Sequence, residues 1–384
     1  MWRHIASNFL TLAVVGLILI VGAIGWAQSQ YRGGGPLEAA ICLRVSAGSN
    51  MYRVSEDLSA QNAISHPSIF RAGADYQDLS QRLKAGSFLI PAGASMEEIV
   101  AKITGGGQST CGTEINFRIG IARAEVQVRE LDPETQQFSL VAEFDPGEGA
   151  APAAYMEARE DADARYRITL AEGVTSFQVV EELKQADFLE GEVLPVPDEG
   201  TLAPDSYEVR AGGARSDLVG EMQARQAAIL AGAWAGRAEG LPLTSAEDAL
   251  ILASIIEKET GIADERRRIA SVFINRLDQG MRLQTDPTVI YGITRGEGSL
   301  GRGIRQSELR RETPWNTYVI DGLPPTPIAN PGRASIEAAV NPDGSDFIFF
   351  VADGSGGHAF SRTLSEHNAN VAKWRAIEAE RSGN

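Results

Sequence analysis

The sequence predicts an α+β protein that begins with a transmembrane helix, and three observations lead to this fold class. Residues 9–27 form an apolar run without charges, which matches the roughly 20 residues of a bilayer-spanning helix. Short segments rich in β-favouring residues, such as 41–45 and 347–351, predict strands. Segments with helical periodicity and N-capping signatures predict helices between them. With 384 residues the chain is long enough for two or three domains.

The charges around the apolar run predict its orientation. Arg3 and His4 precede the run and Arg32 follows it, which is a weak positive-inside bias. We expect a cytoplasmic N-terminus at 1–8, a retained helix at 9–27, a glycine-rich linker at 28–39 and an exported remainder. This is the topology of a single-pass inner-membrane protein with its bulk in the periplasm. A cleaved signal peptide is the alternative, because residues 25–27 loosely resemble a peptidase site.

Composition narrows the classes of partner and chemistry. The net charge is -16, with 51 acidic against 35 basic residues, which argues against nucleic acid as a partner. The sequence lacks zinc and nucleotide-binding motifs, so no metal or cofactor is predicted. Asp353 stands where a serine-hydrolase elbow needs its first glycine. Catalysis by carboxylate side chains is therefore the class of chemistry that remains for this protein. Cys42 and Cys111 could pair in an oxidising compartment, and free thiols are an equal alternative.

Turn residues and capping signatures divide the exported part into a small α+β unit at 40–105, a segment at 106–166 and a larger domain at 167–384. Ser95 with Glu98, and Thr175 with Gln178, form capping boxes that begin helices. The segments leading into these two helices are similar, which indicates either a weak internal duplication or ordinary local sequence preferences. The remaining predictions are strands at 41–45 and 87–90, helices at 51–60 and 66–72, a β-hairpin or small sheet at 114–140, a proline-rich irregular stretch at 313–331, a hairpin of 347–351 with 358–360, and a terminal helix at 365–379.

The acidic segment 143–164 predicts a partly disordered connector, because it is rich in Ala, Glu, Asp and Pro. Asp161 and Asp163 lack the glycine and the distal glutamate of a calcium loop, so we expect them to be solvated.

The segment 244–291 is the most informative part of the chain. Thr244 and Glu247 have the spacing of a capping box, which predicts a helix over 245–260 that stops at Gly261. A second helix is expected from about residue 264 to Gly280. In the first helix, Glu259 continues the apolar face formed by Leu252, Ile255 and Ile256.

A carboxyl group at the position of Glu259 is expected to have a raised pKa. Loss of hydration disfavours its charged form, and the negative end of the helix dipole acts in the same direction. A carboxylic acid that stays protonated near neutral pH is what general-acid cleavage of a glycosidic bond requires. The alternative is that Glu259 leaves the helix end for solvent or pairs with an arginine of the run 266–268.

Five segments resemble one family of enzymes in their order and spacing. They are ASIIEKET (253–260), ASVFINRL (270–277), GMRLQTDPTVIYG (280–292), NTYVIDGLPP (316–325) and FVADGSGGHAF (350–360). Together they resemble the endolytic murein transglycosylases, the MltG or YceG-like family. The resemblance implies a LysM-like module at 40–105 and a YceG-like catalytic domain at 167–384. It weakens over 106–166, which looks like an insertion.

The resemblance also implies an activity. The second glutamate of the family's EKET motif corresponds to Glu259, which agrees with the argument from the apolar face. The expected reaction cuts the β-1,4 bond between N-acetylmuramic acid and N-acetylglucosamine in nascent peptidoglycan and leaves 1,6-anhydro ends. One acid suffices, because the substrate's own C6 hydroxyl can replace water as nucleophile. Peptidoglycan synthases and the elongation machinery are the implied partners. A hydrolytic muramidase that uses water with Asp286 or another carboxylate, and a glycan-binding scaffold without activity, are the competing hypotheses.

Other residues are candidates for substrate binding, each with a structural alternative. Glu257 either orients the substrate or lies on a solvated helix face, because it points roughly 200° away from Glu259. Gln284, Thr285 and Asp286 either bind sugar groups or form an Asx-type turn. Asn316 and Tyr318 either line a groove for the glycan or belong to the core, and His358 either reaches the cleft or supports the hairpin.

Overall fold

The computed structural model describes residues 2–105, 109–161, 163–192 and 195–382 of the chain. The chain forms two compact units. The N-terminal unit comprises residues 1–115, 127–143 and 150–165, and the C-terminal unit comprises 116–126, 144–149 and 166–384. Helices and strands are mixed in both units, so the predicted α+β class is confirmed.

The chain begins with the long helix α1 (Trp2–Arg32). Its segment Thr11–Arg32 is long and apolar enough to cross a membrane by length and composition. The last turn has a different role, because Tyr31 is only 6 % exposed in the core of the N-terminal unit. Its ring lies directly over Gly73, where a β-carbon would come within 2.1 Å of the ring. The end of α1 is thus attached to the folded unit.

The N-terminal unit is built around a two-stranded antiparallel sheet. Strand β1 (Ile41–Val45) pairs with β2 (Gly86–Ile90), so that Ile41 lies opposite Ile90. Three helices cover it: α2 (Met51–Ala60), α3 (Pro67–Tyr76) and α4 (Met96–Thr104). The predicted capping box of Ser95 and Glu98 is present at the start of α4. Residues 106–108, which follow α4 closely in the sequence, lie outside the described residues.

Cys42 and Cys111 form a disulfide, with their Cα atoms 5.6 Å apart. Both residues belong to the N-terminal unit. The sequence left pairing and free thiols equally open, and the tertiary structure selects pairing.

A β-hairpin follows, as predicted. Strands β3 (Thr113–Ile119) and β4 (Ala124–Leu131) form it, and β5 (Phe138–Phe144) neighbours β4. The tip of the hairpin, residues 116–126, belongs to the C-terminal unit. There β3 neighbours β6 (Arg165–Leu170), which pairs antiparallel with β8 (Ser206–Val209).

Two predictions for the acidic connector were wrong. Helix α5 (Ala153–Glu160) forms within it, because Tyr155 is 4 % exposed and anchors one face of the helix. Asp161 and Asp163 are not simply solvated, since Arg44 contacts them at 2.8 and 2.7 Å. Residue 162, between the two acids, lies outside the described residues.

The C-terminal unit continues with a series of helices and short strands. They are α6 (Ser176–Leu183), β7 (Leu189–Glu190), β9 (Gly213–Ala214), α7 (Arg215–Ala235), α8 (Ala246–Glu259), a 3-10 turn (Ala263–Glu265), α9 (Arg266–Asp278), α10 (Asp286–Thr294), α11 (Gln306–Leu309), α12 (Arg333–Val340), β10 (Phe349–Ala352), β11 (His358–Ser361) and α13 (Leu364–Ser382). Strand β7 pairs parallel with β9, and β10 pairs antiparallel with β11, as the predicted hairpin requires. The predicted capping box of Thr175 and Gln178 begins α6.

Helix α8 is the centre of this unit. All residues from 249 to 256 are buried, and α7, α9, α10 and α12 pack around the helix. A helix that is apolar on all sides requires such a central position. Glu259 is its last residue, so the packing of α8 determines where this carboxyl lies.

The start of α8 differs from the prediction by one residue. Ser245, not Thr244, is the N-cap, and Asp248, not Glu247, completes the capping box. Ser245 has extended backbone geometry, so its hydroxyl accepts the amide of Asp248 at 3.1 Å. Thr244 donates its own amide to Asp248 at 2.7 Å. At the other end Thr260 caps the helix, so Gly261 is not the residue that stops it.

Candidate active site

A cleft of about 610 Å³ lies at the C-terminal end of α8. Residues from six parts of the C-terminal unit line it: the end of α8, helix α9, the loop leading into α10, the stretch between α11 and α12, the β10–β11 hairpin and helix α13. Its polar lining residues are Glu259, Arg276, Gln284, Thr285, Asp286, Tyr318, His358, His367 and Asn368. The sequence predicted six of these nine as site residues.

Glu259 is partly accessible in this cleft and otherwise enclosed by protein. Burial raises the pKa of its carboxyl group, and the negative charge of Asp286 acts in the same direction. The hydroxyl of Thr285 and the positive charge of Arg276 favour the ionised form, as does His358 whenever it carries a second proton. Burial has the larger effect, so the pKa of Glu259 is raised.

Thr285 is the direct partner of Glu259. Its side chain is 3 % exposed, and its hydroxyl donates to Oε1 of Glu259. The backbone amide of Thr285 donates to Oγ1 of Thr317 at 3.0 Å, and Thr317 is fully buried. Thr285 is therefore held on both sides, and its hydroxyl has a defined direction toward the carboxyl group.

The neighbours of Thr285 face the cleft. Gln284 is exposed and has a positive φ of 52°, a left-handed conformation that turns the loop at this point. Its amide donates to the carbonyl of Thr317 at 3.2 Å. Asp286 is the first residue of α10, and its carboxylate accepts the hydroxyl of Tyr318 at 2.7 Å.

Tyr318 is partly buried in the wall of the cleft. Burial and the bond to Asp286 both raise the pKa of its hydroxyl, so this group stays a proton donor near neutral pH. The backbone amide of Tyr318 donates a hydrogen bond to Oδ1 of Asn316 at 3.0 Å. The Tyr318–Asp286 pair thus gives the cleft an oriented carboxylate beside the general-acid candidate.

His358 lines the cleft and is fixed by Glu265. Nδ1 of His358 lies 2.8 Å from Oε2 of Glu265, and the amide of His358 donates to Oε1 at 2.8 Å. The imidazole packs edge-on against Phe350, with ring centroids 5.2 Å apart. With Nδ1 occupied by Glu265, Nε2 is the nitrogen available to other partners.

The structure places two predicted site residues away from the cleft. Asn316 is 1 % exposed, and its amide nitrogen donates to the carbonyls of residues 308, 309 and 311. All its donors are directed at the backbone, so it supports the proline-rich stretch. Glu257 does not line the cleft either, and its carboxylate accepts the amide of Gly332 at 3.0 Å. This position follows from the helical turn between Glu257 and Glu259.

Three polar lining residues were missed by the sequence analysis: Arg276, His367 and Asn368. Arg276 is 8 % exposed and donates to the carbonyls of Leu283 at 2.7 Å and Ile348 at 2.7 Å. It thereby joins the Thr285 loop to strand β10. An arginine among the buried residues of an apolar helix face was the available signal, because a charge is rarely buried without fixed partners. His367 stacks on Phe349 with centroids 5.0 Å apart.

Comparison with known proteins supplies the family. The model of the YceG-like family matches residues 43–373. An endolytic murein transglycosylase of Bacillus subtilis (strain 168) is 42 % identical over 132 residues, which are 34 % of this chain and 36 % of that protein. An endolytic murein transglycosylase of Streptococcus pneumoniae serotype 2 is 25 % identical over 347 residues, 87 % of this chain and 58 % of that protein.

A crystal structure of a putative YceG-like protein from Listeria monocytogenes is similar with a TM-score of 0.45 and 26 % identity, covering 86 % of this chain and 99 % of that one. The chain thus spans between about a third and three fifths of the length of the two curated relatives. The family match alone extends over most of the sequence, including every residue that lines the cleft. The chain belongs to the YceG-like family.

Proposed function

We propose that this protein is a lytic transglycosylase that cuts inside nascent peptidoglycan strands. The substrate bond is the β-1,4 link between N-acetylmuramic acid and N-acetylglucosamine, and the product carries a 1,6-anhydro end. Membership of the YceG-like family and two relatives named endolytic murein transglycosylase support this reaction class. The observation that carries the proposal is the carboxyl group of Glu259, which lies in the cleft with a raised pKa.

Glu259 acts first as an acid and then as a base. Its proton passes to the glycosidic oxygen, and the bond between that oxygen and C1 of N-acetylmuramic acid breaks. The C6 hydroxyl of the same sugar then attacks C1, and its proton returns to the carboxylate of Glu259. The carboxyl group ends as it began, and no water is consumed. Attack within one sugar ring also gains from proximity.

The other lining residues assist these two steps. Thr285 orients the carboxyl group of Glu259 and stabilises it when it is ionised. The positive charge of Arg276 favours the same ionised form, as does His358 whenever it carries a second proton. Gln284, which is exposed beside Thr285, binds sugar hydroxyl or acetamido groups. Tyr318 and Asp286 face the positive charge that develops at C1.

A hydrolytic muramidase is the second candidate, and the position of Asp286 favours it. Asp286 lines the same cleft as Glu259 and interacts with its charge. Two carboxyl groups that flank one bond are the usual equipment of enzymes that use water. The C6 mechanism needs only one of them.

Analysis of the products separates the two reactions. Uncrosslinked nascent peptidoglycan is digested in ¹⁸O-labelled water, and the strand ends are examined by mass spectrometry. Transglycosylation yields anhydro ends without label, whereas hydrolysis yields reducing ends with one labelled oxygen. Reducing ends alone would reject the lytic mechanism.

Glu259→Gln tests whether the protein is a catalyst at all. Glutamine nearly preserves the shape but cannot donate the proton, so we expect a loss of at least about a hundredfold in kcat/KM. Glu257→Gln is the matched control, because Glu257 lies on the same helix outside the cleft. Unchanged product yield from the Glu259→Gln variant would reject a catalytic role for Glu259, whereas a glycan-binding scaffold without activity would give no product even as the wild type.

We further propose the architecture that the resemblance implies. Residues 1–8 are cytoplasmic, 9–27 span the inner membrane, and 28–39 link the span to the periplasmic part. Residues 40–105 form a LysM-like module, 106–166 an insertion, and 167–384 the catalytic domain. The apolar segment Thr11–Arg32 supports the anchor by length and composition. Peptidoglycan synthases and the elongation machinery are the proposed partners, because they produce the strands that the enzyme cuts.

A further inference from the structure

A second cavity of about 370 Å³ lies in the C-terminal unit. Two of its lining residues are sequence neighbours of residues in the candidate active site. Glu259 and Asp286 line the cleft described above, and the adjacent residues Lys258 and Pro287 line this second cavity. Cα atoms of consecutive residues are about 3.8 Å apart. The last turn of α8 and the first turn of α10 therefore form a wall that the two spaces share.

Lys258 is the distinctive side chain of this cavity. Its ammonium group donates to the carbonyl of Gly173 at 3.2 Å, which fixes its position. An ammonium group has three donors, so two remain for other partners. Across the described ranges 2–105, 109–161, 163–192 and 195–382, no ion pair within 4.0 Å is formed by Lys258.

The nearby acids are occupied by other donors. Glu257 accepts the amide of Gly332 at 3.0 Å, and Glu199 accepts the amide of Ser176 at 2.8 Å and the hydroxyl of Tyr291 at 3.2 Å. The other cation of the cavity is Arg302, which makes a bidentate ion pair with Glu308 at 2.9 and 2.6 Å. Lys258 is thus the cation that remains to attract an anion into the cavity.

Burial makes an anionic ligand favourable at this position. Loss of hydration lowers the pKa of Lys258, although the charges of Glu257 and Glu199 act against it. A carboxylate that entered the cavity would replace the lost hydration with a charge-assisted hydrogen bond. The hydroxyl of Ser299 also lines the cavity, whereas the hydroxyl of Thr175 and the side-chain amide of Gln178 are already bonded to the carbonyls of Gly296 and Ile121.

We propose that this cavity binds a carboxylate of the peptide stem on the N-acetylmuramic acid beside the cut bond. The proposal rests on the proposed function. In peptidoglycan the stem is joined to the muramic acid itself, so a sugar held at Glu259 brings its peptide to the shared wall. Lys258 would then pair with the stem and place that sugar in register with Glu259.

Lys258→Met tests the pairing in the full-length protein in detergent. Three sets of strands are compared, all without lipid pyrophosphate: strands with intact stems, strands with amidated stem carboxylates, and strands whose stems were removed by an amidase. We expect the variant to raise KM about tenfold on intact stems relative to its effect on the other two sets, since a hydrogen bond between charged groups has about that effect on affinity. Wild-type protein should lose a similar factor on amidated stems.

Lys184→Met is the matched control, because Lys184 is exposed and pairs with Glu181 on the surface of the same unit. It should treat the three strand sets as the wild type does. An equal loss by Lys258→Met on all three sets would mean a purely structural role and would overturn the proposal.

Binding by an inactive protein separates this proposal from the reaction. In the Glu259→Gln background, the dissociation constant for uncut strands with intact stems should rise about tenfold when Lys258→Met is added. This result would support the carboxylate site even if the wild type cut no strand. Equal affinity with and without Lys258 would reject the site, whatever the reaction proves to be.

Discussion

At the scale of single residues, the proton on Glu259 depends on opposing neighbours. Burial and Asp286 hold the proton on the carboxyl group, whereas Thr285, His358 and Arg276 favour its release. A group that must donate a proton and then take one back needs both influences. Thr285 is the neighbour whose contribution can be removed with the smallest change in shape.

Thr285→Val should move the pH profile of cleavage in a defined direction. The hydroxyl of Thr285 lowers the pKa of Glu259, so its loss raises that pKa further. Because the first step requires protonated Glu259, activity falls as pH rises through this pKa. The alkaline limb of kcat/KM against pH should therefore shift to higher pH, with a loss of up to about tenfold at the optimum.

Thr201→Val is the control for this experiment. Thr201 bonds to the carbonyl of Asp198 and does not line the cleft. Its profile should follow the wild type. A shift of the alkaline limb to lower pH in Thr285→Val would contradict the assignment of Glu259 as the acid.

At the scale of elements, helix α8 places the carboxyl group and its cap stabilises the helix. The hydroxyl of Ser245 accepts one amide of the first turn, and Asp248 accepts two amides in return. The local sequence contains two competing capping patterns one residue apart. Backbone geometry at Ser245, with φ −144° and ψ 163°, decides between them.

Ser245→Ala should lower the free energy of unfolding of the C-terminal unit by about 1 kcal/mol, because one amide loses its acceptor. Chemical denaturation followed by tryptophan emission measures this, since Trp234, Trp315 and Trp374 lie in that unit. Ser245→Gly should lower the free energy of unfolding by only about a few tenths of a kcal/mol. A larger loss for Thr244→Ala than for Ser245→Ala would return the N-cap to Thr244.

The loop before α10 shows a different dependence on context. Arg276 of α9 donates to the carbonyls of Arg282 at 3.2 Å and Leu283 at 2.7 Å, and Thr317 holds the amide of Thr285. The bond between Thr285 and Thr317 joins parts of the chain that are 32 residues apart. Thr285 and Asp286 could be proposed from their residue types, but the direction of each side chain depends on these distant partners.

At the scale of the whole molecule, the disulfide and the apolar helix α1 belong to the N-terminal unit. Cys42 and Cys111 are separated by 69 residues, and closing a loop of that length reduces the entropy of the unfolded chain. We expect the Cys42→Ala/Cys111→Ala variant to lose about 4 kcal/mol of stability in this unit. Urea denaturation followed by circular dichroism should show an early transition, while tryptophan emission from the C-terminal unit keeps its midpoint. Coincident, unshifted transitions would contradict this expectation.

Removal of residues 2–27 should release the protein from the membrane without unfolding it. The deletion takes out the predicted span but keeps Tyr31, which is 6 % exposed in the N-terminal core. After fractionation the shortened protein should appear in the soluble fraction. A deletion of residues 2–36 is the informative comparison, because it also removes Tyr31 and should lower the stability of this unit. Membrane retention of the first variant would argue against the anchor.

Local features of the fold could be predicted from the sequence alone. Strand β1, the capping boxes at Ser95 and Thr175, and the place of Glu259 at a helix end depend on residues close in the chain. The connector was predicted wrongly because helix α5 is stabilised by burial of Tyr155, which its acidic composition concealed. Asn316 was assigned to the cleft by its residue type, whereas its amide is used by the backbone.

The sequence by itself determined the class of the fold and the family, and it singled out Glu259 as the candidate proton donor, because periodicity, capping and motif spacing are local properties. Only the tertiary structure decided which groups surround that residue. His358 meets Glu265 across 93 positions, and Thr285 meets Glu259 across 26. Such contacts result from the packing of α8, α9 and the β10–β11 hairpin, and no short stretch of sequence contains them.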